Sequence, residues 1–188
     1  MRDTKEKIIA ATVALTEEIG LEGAATAKIA GKASVAIGTL FHHFPNKQIL
    51  FEATYRHIMD HYVWHLIGFF DYPDEQIGKQ VKKAIRASVD YWVRNWRYFA
   101  FVDQMISSHY FTAEIAEETK SKMDKHFGQL FKLARRKGFI KKYDYQVLLD
   151  ILFRTIFQSA AVIIDTEEDK KEKYRAECLR FIWSSIKP

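Results

Sequence analysis

The chain of 188 residues has few of the residues that interrupt helices or crosslink chains. It contains three prolines, eight glycines and a single cysteine, Cys178. One cysteine excludes an intramolecular disulfide and fits a reducing compartment. The scarcity of proline and glycine leaves little sequence for long loops, and no stretch alternates apolar and polar residues for long. We therefore predict a chain that is nearly all helix.

The sequence also lacks an uninterrupted apolar run of about 18 residues, and its N-terminus, Met1-Arg2-Asp3-Thr4-Lys5, is charged. These features predict neither a signal peptide nor a transmembrane span, so we expect a cytoplasmic protein with no membrane partner. A glycine-rich phosphate loop, a Gly-x-Ser-x-Gly sequence and a Cys/His pair in a supporting context are all missing. We therefore predict no catalytic residues, no cofactor and no enzyme activity.

Charge is unevenly distributed along the chain. The net charge of +5 suits a polyanionic partner. Residues 1–50 carry six Lys/Arg and five Asp/Glu, a net charge of +1, whereas residues 120–142 carry nine Lys/Arg and one acid, Asp124. This second stretch, with its net charge of +8, is either a solvated helix face or an accessory phosphate-binding patch.

Residues 26–47 have the pattern of two short helices joined by a tight turn. Ile29, Ala30 and Ala33 form an apolar stripe on the first helix. The stripe of the second helix follows the spacing i, i+3, i+4, i+7 and consists of Ile37, Leu40, Phe41 and Phe44. Pro45 ends that helix, because the residue before a proline is pushed out of the helical conformation. This arrangement predicts a helix-turn-helix whose second helix enters the major groove of DNA.

A longer pattern runs through the same stretch. It consists of Ile29-Ala30, Ala33-x-Val35 and Gly38-Thr39-Leu40-Phe41-x-His43-Phe44-x-Asn46-Lys47-x-x-Leu50, preceded by Ile8-Ile9-x-Ala11 through Gly20. These residues, in roughly the first quarter of the chain, resemble the DNA-binding domain of the TetR/AcrR-type transcriptional regulators. The resemblance implies an all-α fold, with a three-helix DNA-binding domain at residues 1–47 and a helical domain at residues 48–188 that binds an effector and forms a dimer.

Four positions depart from the residues usual in that family. The family carries Thr or Ser at Ala25, Gly at Ser34, Ser at Ala36 and Tyr at Phe41. Ala36 offers no side-chain oxygen to cap the second helix, which costs about 0.5–2 kcal/mol. Phe41 keeps the ring but lacks the hydroxyl that could bond a phosphate oxygen. We expect these changes to preserve the fold and to reduce sequence-neutral contacts with DNA.

The resemblance implies six residues that contact DNA. Ile37, Thr39 and His42 are predicted to face the bases, where an apolar group meets a thymine methyl and a polar group forms a hydrogen bond. Lys47, beside a helix N-terminus, is the predicted phosphate contact. The remaining two candidates are Lys28 and Phe41.

Later segments are predicted to bind the effector and to pair two chains. The candidate pocket residues are His61, His65, Tyr91, Trp92, Asn95, Trp96, Phe99, Asp103, Phe127, Phe131, Phe157 and Gln158. A packed core uses the same residue types as an apolar pocket, so both interpretations stand. The last two predicted helices, at about residues 145–164 and 170–186, carry the predicted dimer interface: Phe153, Ile156, Ala160, Ile163, Leu179, Ile182 and Trp183.

We therefore predict a homodimeric regulator, by resemblance most often a repressor, that binds pseudo-palindromic double-stranded DNA and responds to a small, largely apolar effector. One alternative is a helical small-molecule-binding protein with weak or lost DNA binding. A second is a helical-bundle metalloprotein that uses His57, His61 and His65, which share one helix face. No His-Glu-x-x-His sequence accompanies them, so no metal ion is predicted.

Overall fold

The computed structural model describes residues 4–67 and 76–188, and these residues form α-helices and no strand. The helices are α1 (Thr4–Gly23), α2 (Thr26–Lys32), α3 (Ile37–His43), α4 (Lys47–Ile67), α5 (Ile77–Arg94), α6 (Trp96–Ile106), α7 (Ala113–Arg136), α8 (Tyr145–Ile164) and α9 (Lys171–Ile186). A short 3₁₀ turn, Glu168–Lys170, precedes α9. The all-α prediction is confirmed. Asp3, followed three residues later by Glu6, predicts a cap of the first helix, and Asp71-Tyr72-Pro73-Asp74 predicts a helix break, but Asp3 and residues 71–74 lie outside the described residues.

The helices form two compact units that divide the chain differently from the predicted boundary after residue 47. The first unit comprises the chain up to His61 together with residues 96–119, and the second comprises residues 62–95 and 120–188. Helix α6 packs with the N-terminal helices because the Leu21 amide donates a 2.7 Å hydrogen bond to Gln104 Oε1. The rings of Phe51 and Phe101 also meet edge to face in this unit.

In the first unit, helix α1 ends its regular part at Gly20, where a glycine followed by Leu21 predicts a helix stop. Gly20 has a φ of 76° and a ψ of 162°, outside the helical region, and glycine tolerates this positive φ because it has no Cβ. The spacing of Ile8, Ala11, Leu15 and Ile19 predicts a buried stripe; Ile8 and Leu15 are buried, but Ile19 is 43% exposed. Ile19 directly precedes the break in the helix, so the predicted stripe stops one turn early.

In the second unit, α8 contacts both α5 and α9. Asp144 caps α8 as predicted, because its carboxylate accepts hydrogen bonds from the amides of Gln146 (3.0 Å) and Val147 (3.2 Å). Helix α8 is long and apolar enough to cross a membrane by length and composition, yet it is one helix of this bundle. Only 33% of its most apolar stretch is buried, so much apolar surface stays open in a single chain.

Candidate nucleic-acid interface

Helices α2 and α3 form the predicted helix-turn-helix. Ile29 on α2 and Leu40 on α3 are fully buried, which holds both helices against the first unit. The turn is closed by backbone hydrogen bonds, with the amide of Val35 donating to the Ala30 carbonyl at 3.0 Å. One side of α3 is therefore fixed to the unit and the opposite side faces solvent.

The solvent side of α3 carries residues that the sequence assigns to DNA contact. Ile37 is 44% exposed and Phe41 is 42% exposed, His42 is exposed and Thr39 is half-buried. The sequence placed Ile37 and Phe41 both on the apolar stripe and among the DNA-contact candidates; their exposure agrees with the second assignment, and only Leu40 and Phe44 bury their side chains. A helix of seven residues contacts its unit through one narrow seam, which leaves two large apolar side chains on the surface. Such exposure is typical of a surface that meets a partner.

The departures from the family pattern have visible structural counterparts. Ala25 and Ala36 occupy the N-cap positions of α2 and α3, and neither helix has a side-chain cap. Ser34, in the turn, has a φ of 55°, the left-handed region that favours glycine. The turn therefore keeps the geometry that a glycine would adopt, at a steric cost to serine.

Few cations at this surface are directed toward solvent. The ammonium of Lys47 donates to the Glu22 carbonyl at 3.2 Å and lies 5.1 Å from the centroid of the Phe51 ring. Lys32 pairs with Glu18 at 2.6 Å, whereas Lys28 is exposed. Lys47 thus ties the start of α4 to the end of α1, and its predicted phosphate contact stays a prediction.

The two units carry opposite net charges. The sequence of the first unit contains eight Lys/Arg and eleven Asp/Glu, a net charge of −3. The second contains 21 Lys/Arg and 13 Asp/Glu, a net charge of +8. The helix-turn-helix therefore belongs to a unit whose overall field opposes DNA binding, and the basic excess of the chain lies in the other unit.

The structure divides the twelve candidate pocket residues between the units. His61, Trp96, Phe99 and Asp103 belong to the first unit and the other eight belong to the second. In the second unit, the indole ring of Trp92 packs against the rings of Tyr91 and Phe157 at centroid distances of 5.0 and 5.2 Å. Tyr91, Trp92, Phe127, Phe131 and Phe157 are all buried there.

These aromatic side chains form the packed core of the second unit. Tyr62 of α4, which was not among the predicted pocket residues, belongs to this cluster, since its ring lies 4.8 Å from that of Trp92. Burial raises the pKa of the Tyr62 hydroxyl to about 12, so this side chain stays neutral. The buried indole N–H of Trp92 and the buried hydroxyls of Tyr62 and Tyr91 place polar groups inside this aromatic core.

Gln158 lies apart from this core, on an open groove between α8 and α9. The groove has a volume of about 370 Å³ and is lined by Gln158, Ser159, Val162, Tyr174, Glu177, Cys178 and Phe181. Sequence analysis did not assign the α9 residues to a pocket. Tyr174, Cys178 and Phe181 follow the spacing i, i+4, i+7, which is the signal that could have identified them.

Several predicted dimer-interface residues lie on the inner face of their helices and not on the face open to a partner. Four of the seven are buried within the single chain: Ile156, Ala160, Ile163 and Ile182. They pack the inside of the second unit and have no surface left for a partner. The apolar side chains that α8 and α9 leave open are Val147 (52% exposed), Ile151 (62%), Val162 (37%), Tyr174 (38%) and Phe181 (64%).

Among the described residues, the histidines of α4 do not belong to a group of metal-ligating side chains. Among residues 4–67 and 76–188, no group of three or more His, Cys, Asp or Glu side chains is arranged to hold a metal ion. The ring of His61 lies 5.7 Å from that of Tyr98 in the first unit, and the ring of His65 lies 5.2 Å from that of Tyr91 in the second. These two histidines therefore pack against aromatic rings, each in its own unit.

Comparison with known proteins identifies the N-terminal region. Residues 8–54 match the family described as "Bacterial regulatory proteins, tetR family". The "HTH-type transcriptional regulator BetI" of Proteus mirabilis is 44% identical over 54 residues, which are 29% of this chain and 27% of that protein. The match thus spans about a quarter of the relative's length.

Solved structures cover the remainder of the chain. A protein of Shewanella sp. PV-4 assigned to the tetR family superposes over 100% of both chains, with a TM-score of 0.88 and 20% identity. SmeT of Stenotrophomonas maltophilia, "the repressor of the Stenotrophomonas maltophilia multidrug efflux pump SmeDEF", covers 100% of this chain and 92% of its own, with a TM-score of 0.72 and 16% identity. At these identities the likeness establishes the fold.

Proposed function

We propose that this chain, whose residues 8–54 match the tetR family of bacterial regulatory proteins, is a DNA-binding transcriptional regulator of that family. The observation that carries the proposal is α3 itself. Its buried side is held by Leu40, while Ile37, Phe41 and His42 are exposed on a helix-turn-helix. This is the arrangement by which a recognition helix reads base edges in the major groove.

A second copy of the chain completes the proposed function. The open apolar side chains of α8 and α9, Ile151 and Phe181 foremost, would be covered by the same helices of a partner. A two-fold dimer presents two recognition helices, so the operator is a pseudo-palindrome with half-sites one helical turn, about 34–36 Å, or a multiple apart. This surface supports the homodimer predicted from the sequence. In the proposed interface, its exposed side chains take the place of the four predicted residues that are buried.

The second unit is the proposed location of effector control. Its buried aromatic rings, such as those of Trp92 and Phe157, are of the residue types that line sites for small and largely apolar effectors. Helix α4 contributes its first residues to the first unit and its last residues to the second, so it is the connection through which an effector would act. By linkage, operator DNA must weaken effector binding by the same factor by which the effector weakens DNA binding.

The proposal is tested by selecting genomic fragments that the purified protein retains at two salt concentrations. We expect an inverted repeat to be enriched. Thr39→Ala and His42→Ala should then weaken operator binding and relax the preference at particular base pairs, with each lost contact worth about 1–3 kcal/mol of discrimination. Lys28→Ala is the matched change at a predicted phosphate contact, and it should weaken binding to all sequences equally.

Two outcomes would count against this function. If no sequence is enriched at low salt, the net charge of −3 on the first unit and the uncapped α3 outweigh the exposed recognition face. The chain would then be better described as a helical small-molecule-binding protein. If all three substitutions weaken every sequence equally, the assignment of Thr39 and His42 to base reading is wrong.

A further inference from the structure

Three segments of the second unit bring cationic side chains to one end of that unit. We call this region the basic end. The first three turns of α5 supply Lys79, Lys82, Lys83 and Arg86, all exposed. The connection between α7 and α8 supplies Arg135, Arg136, Lys137, Lys141 and Lys142, and the residue after α9 is Lys187.

Direct contacts hold the three segments together. Phe139, in the α7–α8 connection, packs so closely on α5 that a Cβ at Gly78 would lie 3.0 Å from its ring. The amide of Lys141 donates to the Ile186 carbonyl at 2.8 Å, and its ammonium donates to the Ser185 carbonyl at 3.1 Å. The basic stretch of residues 120–142 noted in the sequence is therefore joined at its end by α9.

The start of α5 is tied to the same place. The ammonium of Lys82 lies 4.5 Å from the centroid of the Trp183 ring, one turn before the end of α9. The three segments that carry the ten cations therefore lie side by side in the second unit. Among the described residues of these segments and of α5, two acidic side chains are engaged, since Asp144 caps α8 and Asp90 pairs with Arg175.

Interactions among the described residues do not account for four of these charges. Cations near the C-termini of α7 and α9 are favoured by the helix dipoles, but the dipole of α5 disfavours the cations in its first turns. Among the described residues, Lys79, Arg86, Arg136 and Lys142 form no ion pair. Like charges on one surface repel one another, so these four side chains are suited to an external anion.

We propose that the basic end binds the phosphate backbone of nucleic acid without reading its sequence. Several cations on one surface gain affinity by releasing the counterions condensed on a nucleic acid. The charge of the chain supports this partner, because the second unit carries +8 and the first carries −3. The inference stands on this surface alone and does not depend on the function proposed for α3.

The apolar side chains of the basic end favour nucleic acid over a lipid bilayer. A membrane-binding surface turns its apolar groups outward for insertion. Here Ile140 is 1% exposed, and the ring of Phe139, which is 40% exposed, lies against Gly78 of α5. The exposed ring of Tyr143 has the ammonium of Lys141 at 5.9 Å, so a cation accompanies the aromatic surface that remains.

The test compares two triple variants of the full chain that have the same net charge. Lys79→Gln/Arg136→Gln/Lys142→Gln removes three of the ten charges of the basic end, and Arg94→Gln/Lys125→Gln/Lys173→Gln removes three exposed cations elsewhere in the second unit. The binding constant of a short random-sequence duplex is measured against salt concentration. We expect the first variant to flatten the salt slope by about two to three units, at about 0.9 per lost phosphate contact, and the control to leave it unchanged.

Three results would overturn the proposal. Equal slopes in the two variants would mean that only total charge matters. An unchanged slope in the first variant would mean that the basic end does not touch the duplex. If the first variant lost binding to phosphatidylglycerol vesicles but kept its duplex binding, the surface would be assigned to a membrane.

The outcome for the basic end is separable from that for the recognition helix. In Thr39→Ala/His42→Ala, sequence preference should disappear while the random-duplex slope keeps its dependence on Lys79, Arg136 and Lys142. If the salt slope depends on Lys79, Arg136 and Lys142 but the wild-type chain prefers no sequence, the function proposed for α3 is contradicted. The same result supports phosphate binding at the basic end.

Discussion

Arg175 on α9 binds Asp90 on α5 through two parallel hydrogen bonds. The guanidinium donates from Nε to Oδ1 at 2.7 Å and from a terminal nitrogen to Oδ2 at 2.6 Å. The side chains are only 24% and 17% exposed, so water screens the pair weakly. This two-pronged geometry connects α5 to α9 within the second unit, and it is the arrangement in which arginine differs most from lysine.

Removing this ion pair should destabilise the second unit. We expect Arg175→Ala to lower the free energy of unfolding by about 1.5–3 kcal/mol, because it leaves a largely buried carboxylate without its partner. Arg175→Lys keeps the charge and should recover part of the loss. Urea unfolding of the full chain measures both. The control is Lys171→Ala, which removes a pair with Glu168, a side chain that is 87% exposed, and should cost less than about 1 kcal/mol. Equal losses in the two alanine variants would contradict the assignment.

Ser34→Gly should stabilise the helix-turn-helix. A non-glycine residue in the left-handed region destabilises the folded state by roughly 1–2 kcal/mol. Glycine removes this strain, but it stabilises the unfolded chain by about 0.5–1 kcal/mol because it increases that chain's conformational entropy. The net gain is therefore about 0.5–1 kcal/mol, visible as a raised Tm. Ser34→Ala keeps the Cβ and should bring no such gain. A Tm that rises equally in both variants would mean that the φ of 55° carries no strain.

Lys47 should have a structural role that is separable from its charge. Lys47→Met keeps the aliphatic stem but removes the hydrogen bond to the Glu22 carbonyl, which should cost about 0.5–1.5 kcal/mol of stability. If Lys47 also contacts a phosphate, the same variant should flatten the salt slope of DNA binding by about one unit. Thermal unfolding and duplex titration at several salt concentrations measure the two effects. Lost stability with an unchanged slope would limit Lys47 to its structural role.

Gly128 and Gly31 should respond in opposite ways to alanine. A Cβ at Gly128 on α7 would overlap the Asp124 carboxylate and lie 2.9 Å from the Tyr145 hydroxyl, whereas nothing lies within 4 Å of a Cβ at Gly31 on α2. Overpacking costs about 1–3 kcal/mol, and replacing a helical glycine gains about 0.5–1 kcal/mol. We expect Gly31→Ala to raise the free energy of unfolding, measured by urea unfolding. We expect the free energy of unfolding of Gly128→Ala to be about 1–3 kcal/mol lower than that of Gly31→Ala. Equal midpoints would show that Asp124 and Tyr145 move aside freely.

Several local features were predictable because they depend on neighbouring residues alone. Asp144 caps α8, Gly20 interrupts α1, and the spacing of Leu40 and Phe44 marks the buried side of α3. A cap, a positive φ and a helical stripe each act within one or two turns. Such features are determined before any tertiary contact forms.

Other assignments failed because apolar residues look alike in a sequence. Ile37 and Ile156 were both placed on helical stripes, yet the first is exposed and the second is buried. The difference arises from which neighbouring helix covers each position. A period of 3.6 residues places side chains on one face but does not say whether that face meets the same chain, a partner or DNA.

The sequence by itself determined the all-helical fold, the helix-turn-helix and the likeness of residues 8–54 to the tetR family, since these follow from short-range periodicity and from a motif of fixed spacing. Only the tertiary structure decided the grouping of the helices into units, the open face of α8 and α9, and the joining of Lys79, Lys142 and Lys187 at the basic end. These three cations are far apart in the sequence. They lie together because hydrogen bonds and a glycine contact hold the ends of distant helices side by side.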